Sequence, residues 1–303
     1  MKDSEYHIPV LLHAATSALI KNINGTYVDV TFGGGGHSRQ ILKLIQNGRL
    51  ISFDQDGDAF FNEIDDSRFL LVRENFRNIQ NVLEVNEFGL SDGILADLGV
   101  SSYQFDRPER GFSFRFDADL DMRMNKDAQL SAFNVVNDYS DDQLVSLLIR
   151  FGEFRKVEAV KVVNNILEKR NAGSLKTTFQ LANAIDFLVP FKVRNQFLAR
   201  VFQALRIEVN QEMDALVEFL NQIPRCLKPG GVAVIITYHS LEDRLVKNFF
   251  KSGNIDGVLE KDFYGVVSKP FCLINKKPIV ADSKELKSNP RSRSAKLRIA
   301  KLN

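Results

Sequence analysis

The sequence has few cysteines and no long apolar run, and both absences narrow the class of protein. Its 303 residues include two cysteines, Cys226 and Cys272, with no CxxC motif. This content argues against a disulfide framework or a cysteine-based zinc site, and we expect two reduced thiols, as in a cytoplasmic protein. No apolar run approaches the ~20 residues that cross a bilayer. The N-terminal residues lack the basic and apolar pattern of a secretory signal, so we expect none.

The chain also has little net charge, but its basic residues are concentrated near the C-terminus. The formal charge of +2 favours no class of partner. The segment from Lys284 to Lys301 contains seven Lys or Arg residues and only one acidic residue, a Glu. A basic segment of this kind either lies solvated on the surface or contacts phosphate groups.

Strands and helices alternate through the first hundred residues. Four short apolar runs are typical of buried strands, and amphipathic runs separate them; the strands are predicted at 26–32, 49–56, 68–75 and 93–99. This alternation, with short connections, indicates a parallel sheet covered by helices on both faces.

The pattern becomes helical after residue 100, and strands return near the C-terminus. The last run, 294–302, alternates apolar and polar residues and is predicted to be an edge strand. We therefore predict an α/β fold, a doubly wound sheet with an inserted all-helical domain. The predicted sheet domain comprises 1–101 and 206–303, and the insert comprises 102–205.

Four glycines in "VDVTFGGGGHSR" (28–39) connect the first strand to the helix that follows it. Glycines accept positive φ angles and allow a ligand to approach the backbone, so this strand–glycine–helix order is typical of a nucleotide site. An acid about 20 residues later, at the end of the second strand, can hold ribose hydroxyls. Asp54 has this position, and Asp56 is the nearby alternative.

Two residues favour S-adenosylmethionine over a dinucleotide as the ligand. The dinucleotide fingerprint has a third glycine where this chain has Ser38. The carboxylate of Asp29, inside the first strand, would repel a pyrophosphate and attract an amine or a sulfonium. Three alternatives stay open: Asp29 only caps a turn, the chain is a nicotinamide-dependent dehydrogenase, or it is an RNA-binding assembly factor with a vestigial pocket.

Two further residues follow predicted strands. Asp97 ends the fourth strand, where it either faces the reacting end of the ligand or caps the next helix. His239 ends the strand before "HSLEDR", and we interpret it as a packed or capping residue.

Together, several blocks of sequence resemble one family, the bacterial 16S ribosomal RNA cytosine-N4-methyltransferases (the MraW family). These blocks occur in order along nearly the whole chain: "HIPVLL" (7–12), "VDVTFGGGGHSR" (28–39), "DGILADLGVSS" (92–102), "RGFSFRFDADLDMRMN" (110–125), "RVFQALRIEVNQE" (200–212), "HSLEDRLVK" (239–247) and "NPRSRSAKLRIA" (289–300). Many members of the family carry an acid where this chain has Ala14.

The resemblance implies a class I (Rossmann-like) methyltransferase fold with a helical insert. It implies methyl transfer from S-adenosylmethionine, giving S-adenosylhomocysteine, to the N4 amine of one cytidine in the decoding region of 16S rRNA in the small ribosomal subunit, without a metal. It leaves open whether the protein is a monomer or a homodimer. Carried over by position, the cofactor contacts fall on Gly35, Gly36, His37, Asp54, Phe76, Asp97 and Gln104.

Asp97 lies where other amino-methyltransferases carry the acid of an Asp-Pro-Pro-Tyr motif, but the residues here are "DLGV" (97–100), with no aromatic residue next to the acid. Asp97 is therefore predicted either to accept a hydrogen bond from the N4 amine or only to bind the cofactor.

Arginines and phenylalanines in two segments are candidates for contacts with the RNA. They are Arg107, Arg110 and Phe112 in the first segment, and Arg291 and Arg293 in the second. Arginine can contact phosphates and phenylalanine can stack on bases. Alternatively, Phe112, Phe114 and Phe116 anchor the loop, and the two C-terminal arginines are solvated. For the acids at 117, 119 and 121, pairing with arginine is favoured over a metal site.

Overall fold

The computed structural model describes residues 9–259, 263–265 and 269–303. The first two residues of "HIPVLL" lie outside these ranges. The described chain forms two compact units, the first made of the described residues within 1–99 and 213–303 and the second of residues 100–212.

The first unit contains one seven-stranded sheet within the described residues. Its strands are β1 (Thr26–Asp29), β2 (Arg49–Asp54), β3 (Phe69–Arg73), β4 (Ser91–Asp97), β5 (Leu227–Thr237), β6 (Phe271–Leu273) and β7 (Lys296–Leu302). The strand order is β3-β2-β1-β4-β5-β7-β6, with β1 to β5 parallel and β6 and β7 antiparallel to their neighbours. The predicted doubly wound α/β sheet is confirmed.

Helices cover both faces of this sheet. They are α1 (Leu12–Leu19), α2 (Gly36–Leu44), α3 (Ile79–Val85), α10 (Glu212–Cys226) and α11 (Ser240–Ser252). A further short helix, α12 (Ser283–Ser288), precedes β7 and has no buried residue. Alternate residues of each strand enter separate apolar clusters: Val28 and Ile51 pack with α3, α10 and α11, whereas Tyr27 and Leu50 pack with α1 and α2. Burial on both faces explains why neighbouring residues of the central strands are apolar, rather than every second residue.

The prediction that the last strand is an edge strand was wrong. β7 pairs with β5 on one side and with β6 on the other. Its polar residue Arg298 is nevertheless buried, because the guanidinium pairs with Asp243 of α11, 2.7 Å from Nε to Oδ1. From the sequence alone, a buried strand arginine that pairs with a carboxylate cannot be distinguished from one whose side chain faces solvent.

The described elements of the second unit are helices. They are α4 (Ser102–Asp106), α5 (Ala132–Asp138), α6 (Asp141–Gly152), α7 (Lys156–Ala172), α8 (Thr178–Ile185) and α9 (Arg194–Asn210). α6 packs against α7 and α9 and begins with a capping box between Ser140 and Gln143. α9 continues past residue 205, where the sequence placed the end of the insert, and the chain turns at Gln211 with φ +50°.

Among the helices of the described part of the chain, none combines the length and the apolar character needed to cross a bilayer.

Candidate active site

The glycine loop lies between β1 and α2. Gly33 and Gly35 have φ angles of +52° and +74°, a region that side-chain-bearing residues rarely adopt. A Cβ atom at position 35 would also lie 2.9 Å from the ring of Phe32. At Gly36, the first residue of α2, a Cβ atom would overlap the ring of Pro9. Glycine at 35 and 36 therefore permits both the turn and the close approach of the segment before α1.

Asp29 supports this loop from inside the sheet. The hydroxyl of Ser38 donates to Asp29 Oδ2 at 2.6 Å, and the amide of Thr31 donates to Oδ1 at 3.2 Å. Burial raises the pKa of Asp29, although the charge of His37 and the hydrogen bond from Ser38 oppose this shift. The carboxylate is fully buried, and its attraction for a cationic ligand stays a prediction. Its hydrogen bond to the Thr31 amide matches the turn-capping alternative.

Asp54 ends β2 and is hydrogen-bonded to the glycine loop. Its Oδ2 accepts from the amide of Gly33, and its Oδ1 accepts from the amide of Asp56, both at 2.8 Å. Burial raises the pKa of Asp54 to about 6, although these two amides favour the ionised form. Each carboxylate oxygen can accept more than one hydrogen bond, so the half-buried group can also bind hydroxyls.

Asp97 ends β4 and is held by three neighbours. Its backbone amide donates to Thr31 Oγ1 at 2.7 Å. The hydroxyl of Tyr238 donates to Asp97 Oδ1 at 2.6 Å, and Oδ2 lies 3.7 Å from Nδ1 of His37. Burial raises the pKa of Asp97 to about 6, while the charge of His37 and the hydrogen bond from Tyr238 lower it.

His37 connects this cluster to the segment before α1. Its Nε2 lies 3.1 Å from the carbonyl oxygen of Val10. A carbonyl oxygen only accepts, so Nε2 carries the hydrogen and donates it. Nδ1 is therefore the ring nitrogen that faces Asp97.

Phe76 follows β3 in a short 3₁₀ helix, Phe76–Asn78. Its half-buried ring packs edge-to-face on Phe219, with 5.4 Å between the ring centroids.

One edge of the sheet brings these residues together. β2, β1 and β4 are adjacent and parallel, so their carboxyl ends place Asp54, the glycine loop and Asp97 side by side. In open α/β sheets, ligands bind at this edge.

Arg291 and Arg293 lie at the same edge. They belong to a 3₁₀ helix, Pro290–Ser294, that leads into β7. Because β7 is antiparallel to β5, its first residue, Lys296, pairs with Thr237 at the carboxyl end of β5. Arg293 is exposed and Arg291 is half-buried.

Gln104 and Arg107 lie in the second unit. Gln104, in α4, is buried, and its side-chain oxygen accepts from the amide of Ser101 at 3.0 Å to complete a capping box. Arg107 follows α4 with 53% of its side chain exposed, and its guanidinium lies 4.9 Å from the ring centroid of Tyr103.

Arg110 and Phe112 are buried inside the loop that follows. The guanidinium of Arg110 donates to the carbonyl oxygens of Arg123 at 2.8 Å and Met124 at 3.0 Å. The side chain is 3% exposed, and Phe112 is 5% exposed. In this structure neither side chain is presented to RNA, and Arg110 holds the loop together.

The neighbouring side chains show how the rest of this loop is held. Phe114 packs edge-to-face on Phe202, and Phe116 is exposed. Asp121 pairs with Arg123, 2.7 Å from Oδ1 to Nε, as the sequence favoured over a metal site.

Sequence reasoning missed Tyr238, the aromatic partner of Asp97. It precedes "HSLEDR" directly, but 141 positions separate it from Asp97. His239, in turn, caps α11, as the sequence suggested.

Comparison with known proteins identifies the family. The chain matches the MraW methylase family over residues 4–303. It is 53% identical over 297 residues to a Flavobacterium johnsoniae protein named ribosomal RNA small subunit methyltransferase H, covering 98% of this chain and 97% of that protein. A Bacteroides thetaiotaomicron protein of the same name is 52% identical over 296 residues, covering 97% of both chains. The resemblance seen in the sequence is confirmed: the chain belongs to the MraW methylase family.

Proposed function

We propose that this chain transfers the methyl group of S-adenosylmethionine to the N4 amine of one cytidine in the decoding region of 16S ribosomal RNA. The observation that carries the proposal is the joint placement of the glycine loop, Asp54 and Asp97 at one edge of the sheet, in a chain that matches a methylase family over residues 4–303. Relatives about half identical in sequence are named as methyltransferases of small-subunit ribosomal RNA.

The residues at this edge fit S-adenosylmethionine. Asp54 offers carboxylate oxygens to the two ribose hydroxyls, and Phe76 offers an aromatic face to adenine. Glycine at 35 and 36 permits the turn that shapes the loop, and we assign cofactor contacts to the backbone of these two residues. Carboxylates at 54 and 97 favour a ligand that carries a positive charge and no phosphate. His37 orients Asp97, and Gln104 belongs to the proposed cofactor set on the family resemblance alone.

When bound, the cofactor supplies a methyl group already activated by the sulfonium, so the proposed reaction needs no metal. The protein contributes position: holding reacting groups in line contributes roughly 7–11 kcal/mol to the reduction of a barrier. The exocyclic N4 of cytosine is a weak nucleophile because its lone pair is delocalised into the ring. Asp97, accepting a hydrogen bond from N4, localises that lone pair and receives the proton after transfer.

Contacts with the RNA fall to the exposed arginines. The side chain of Arg107 is 53% exposed, Arg293 is exposed, and the half-buried Arg291 lies two residues before Arg293. We assign phosphate contacts to these three residues. Arg110 and Phe112 shape the loop rather than contact the RNA directly. The proposed substrate is the small ribosomal subunit, which places the reaction in the cytoplasm.

Two binding and transfer measurements test this function. Calorimetry with S-adenosylmethionine and with NAD distinguishes a methyltransferase from a dehydrogenase, and we expect heat of binding from the first ligand only. Transfer of a labelled methyl group to small subunits from a strain that lacks the gene distinguishes an enzyme from an RNA-binding assembly factor. Binding of the particle without transfer of label would favour the assembly factor.

A further inference from the structure

Tyr238 and Asp97 meet at the ends of two adjacent strands. β4 and β5 are parallel neighbours, and Tyr238 follows the last residue of β5. The phenol oxygen lies 2.6 Å from Asp97 Oδ1, a distance typical of a strong hydrogen bond to a charged oxygen. Burial and the neighbouring Asp97 both raise the pKa of Tyr238 well above its usual value, so the phenol keeps its proton and donates it.

The backbone of Tyr238 is fixed by the start of α11. Glu242 is buried, and its Oε2 accepts from the amides of Tyr238 at 2.8 Å and His239 at 3.3 Å. His239 caps the helix, with its Nδ1 accepting from the amide of Glu242 at 3.5 Å. The ring of Tyr238 packs on the apolar cluster beneath α1 and α2. The phenol therefore reaches Asp97 from a rigid support, and this explains the structural role of "YHSLE" (238–242).

We propose that Tyr238 is a positioning residue for the methyl transfer: its hydroxyl occupies Asp97 Oδ1 and so directs Oδ2 toward the target amine. The inference deepens the proposed function and rests on it. Oδ2 is the oxygen on the side of His37, 3.7 Å from Nδ1. With Oδ1 hydrogen-bonded to Tyr238 and Oδ2 beside His37, the carboxylate cannot rotate freely, and the acceptor keeps one direction.

The charged groups around Asp97 determine how the pKa of its carboxyl group changes when the hydrogen bond from Tyr238 is lost. Asp29 and Glu242 are acidic neighbours that disfavour the ionised form, as burial does, whereas His37 and the phenol favour it. A hydrogen bond donated to the charged form stabilises that form. Removing the phenol hydroxyl therefore makes Asp97 harder to ionise and leaves its orientation to His37 alone.

The test compares Tyr238→Phe with Tyr27→Phe in the full-length protein without ligand. Both changes remove one hydrogen-bonded phenol hydroxyl, but the hydroxyl of Tyr27 bonds to the backbone around Asn22 and does not reach Asp97. The ¹³C signal of the Asp97 side-chain carboxyl, assigned by its loss in Asp97→Asn, is followed against pH. We expect the pH at the midpoint of this titration to rise by about one unit in Tyr238→Phe and to stay at the wild-type value in Tyr27→Phe.

Single-turnover methylation of the small subunit is the second readout. We expect Tyr238→Phe to reduce the rate of transfer at saturating substrate about tenfold or more, with little change in the affinity for the particle. An unchanged midpoint together with an unchanged rate overturns the inference, and so does an equal shift in both tyrosine variants. If the midpoint moves only in Tyr238→Phe but wild-type protein transfers no methyl group, the proposed function is overturned instead.

Discussion

The carboxylate of Asp54 accepts a hydrogen bond from the backbone amide of Gly33, 2.8 Å from Oδ2 to the nitrogen. Asp54 is the last residue of β2 and Gly33 lies in the loop after β1, so this bond joins the end of β2 to the glycine loop. We therefore expect the proposed ligand binding at Asp54 to be coupled to the shape of the loop, so that a change at either residue affects both.

Asp54→Asn tests that coupling. The amide side chain retains one oxygen, but its nitrogen cannot accept from the amide of Asp56 or from a ribose hydroxyl. Losing a hydrogen bond to a charged group costs about 1.5–3 kcal/mol, so we expect the Kd for S-adenosylmethionine in calorimetry to rise at least tenfold. Asp92→Asn is the control, since Asp92 lies at the opposite end of the sheet, where it binds Lys228 and the amide of Thr26. Equal affinity in the two variants would contradict a role for Asp54 in binding.

Comparing Gly35→Ala with Gly89→Ala separates the cost of backbone strain from the cost of a steric overlap. Gly89 has nearly the same φ, +72° against +74°, but a Cβ atom there meets no atom within 4 Å. We expect Gly89→Ala to lower the free energy of unfolding by about 1 kcal/mol. Gly35→Ala should lower it by about 1–3 kcal/mol more because of the overlap with Phe32, and it should weaken cofactor binding. Denaturant unfolding measures the difference, and similar losses in both variants would show that the ring of Phe32 yields at little cost.

Asp97→Asn tests the proposed acceptor. The amide group cannot take a proton from N4, so we expect turnover to fall by about 10²-fold or more. Calorimetry measures cofactor affinity in parallel, so that a binding defect is recognised as such. Near-normal turnover with normal cofactor affinity would remove Asp97 from the mechanism.

The raised pKa values of Asp54 and Asp97 predict opposite effects of pH on stability and on binding. Both groups titrate near 6 in the folded protein, whereas an aspartate in an unfolded chain titrates at about 4. Between these values the folded state binds more protons, so their contribution to stability is full below about pH 4 and is lost as the pH rises through about 6.

The free energies of unfolding of the wild type and of Asp97→Asn are compared across pH. Their difference isolates the contribution of Asp97 from those of the other carboxylates. The stability of the variant relative to wild type should be greatest above pH 6 and should decline as the pH falls toward 4. Cofactor affinity of the wild type should weaken below pH 6, because the ligand is bound by ionised carboxylates. A relative stability that does not change with pH would mean that Asp97 titrates normally.

Arg293→Gln and Arg110→Gln distinguish an RNA contact from a structural role. For exposed Arg293, we expect weaker binding to the small subunit and a salt dependence reduced by about 0.7 in the log–log slope, with unchanged stability. For buried Arg110, we expect a loss of about 1–3 kcal/mol in stability, because the carbonyl oxygens of Arg123 and Met124 lose their donor. Filter binding across salt concentrations and thermal unfolding provide the two readouts. A reduced salt slope in Arg110→Gln without loss of stability would reverse the assignment.

The part of the candidate site that lies close to the strand ends could be predicted from short stretches of sequence. The order of strand, glycines and helix, and the acid that ends β2, follow from short-range patterns with a direct physical meaning. The helical second unit was also visible, because capping boxes such as Ser140–Gln143 mark helix starts.

Contacts between distant parts of the chain could not be predicted in the same way. Tyr238 meets Asp97 only because β4 and β5 are neighbours in a particular register. The burial of Arg110 and Arg298 was equally hidden, since each is compensated by partners that the sequence does not place beside it. An arginine in a polar context has the same sequence signature whether it faces solvent or closes a loop.

The most direct test of the account is a mass-spectrometric map of methylated nucleotides in 16S ribosomal RNA from cells with and without this gene. The account predicts that one cytidine in the decoding region carries a methyl group on N4 only when the gene is present, and that Asp97→Asn fails to restore it. A methyl group that persists at that cytidine without the gene, or a gene-dependent methyl group on a different atom, would contradict it.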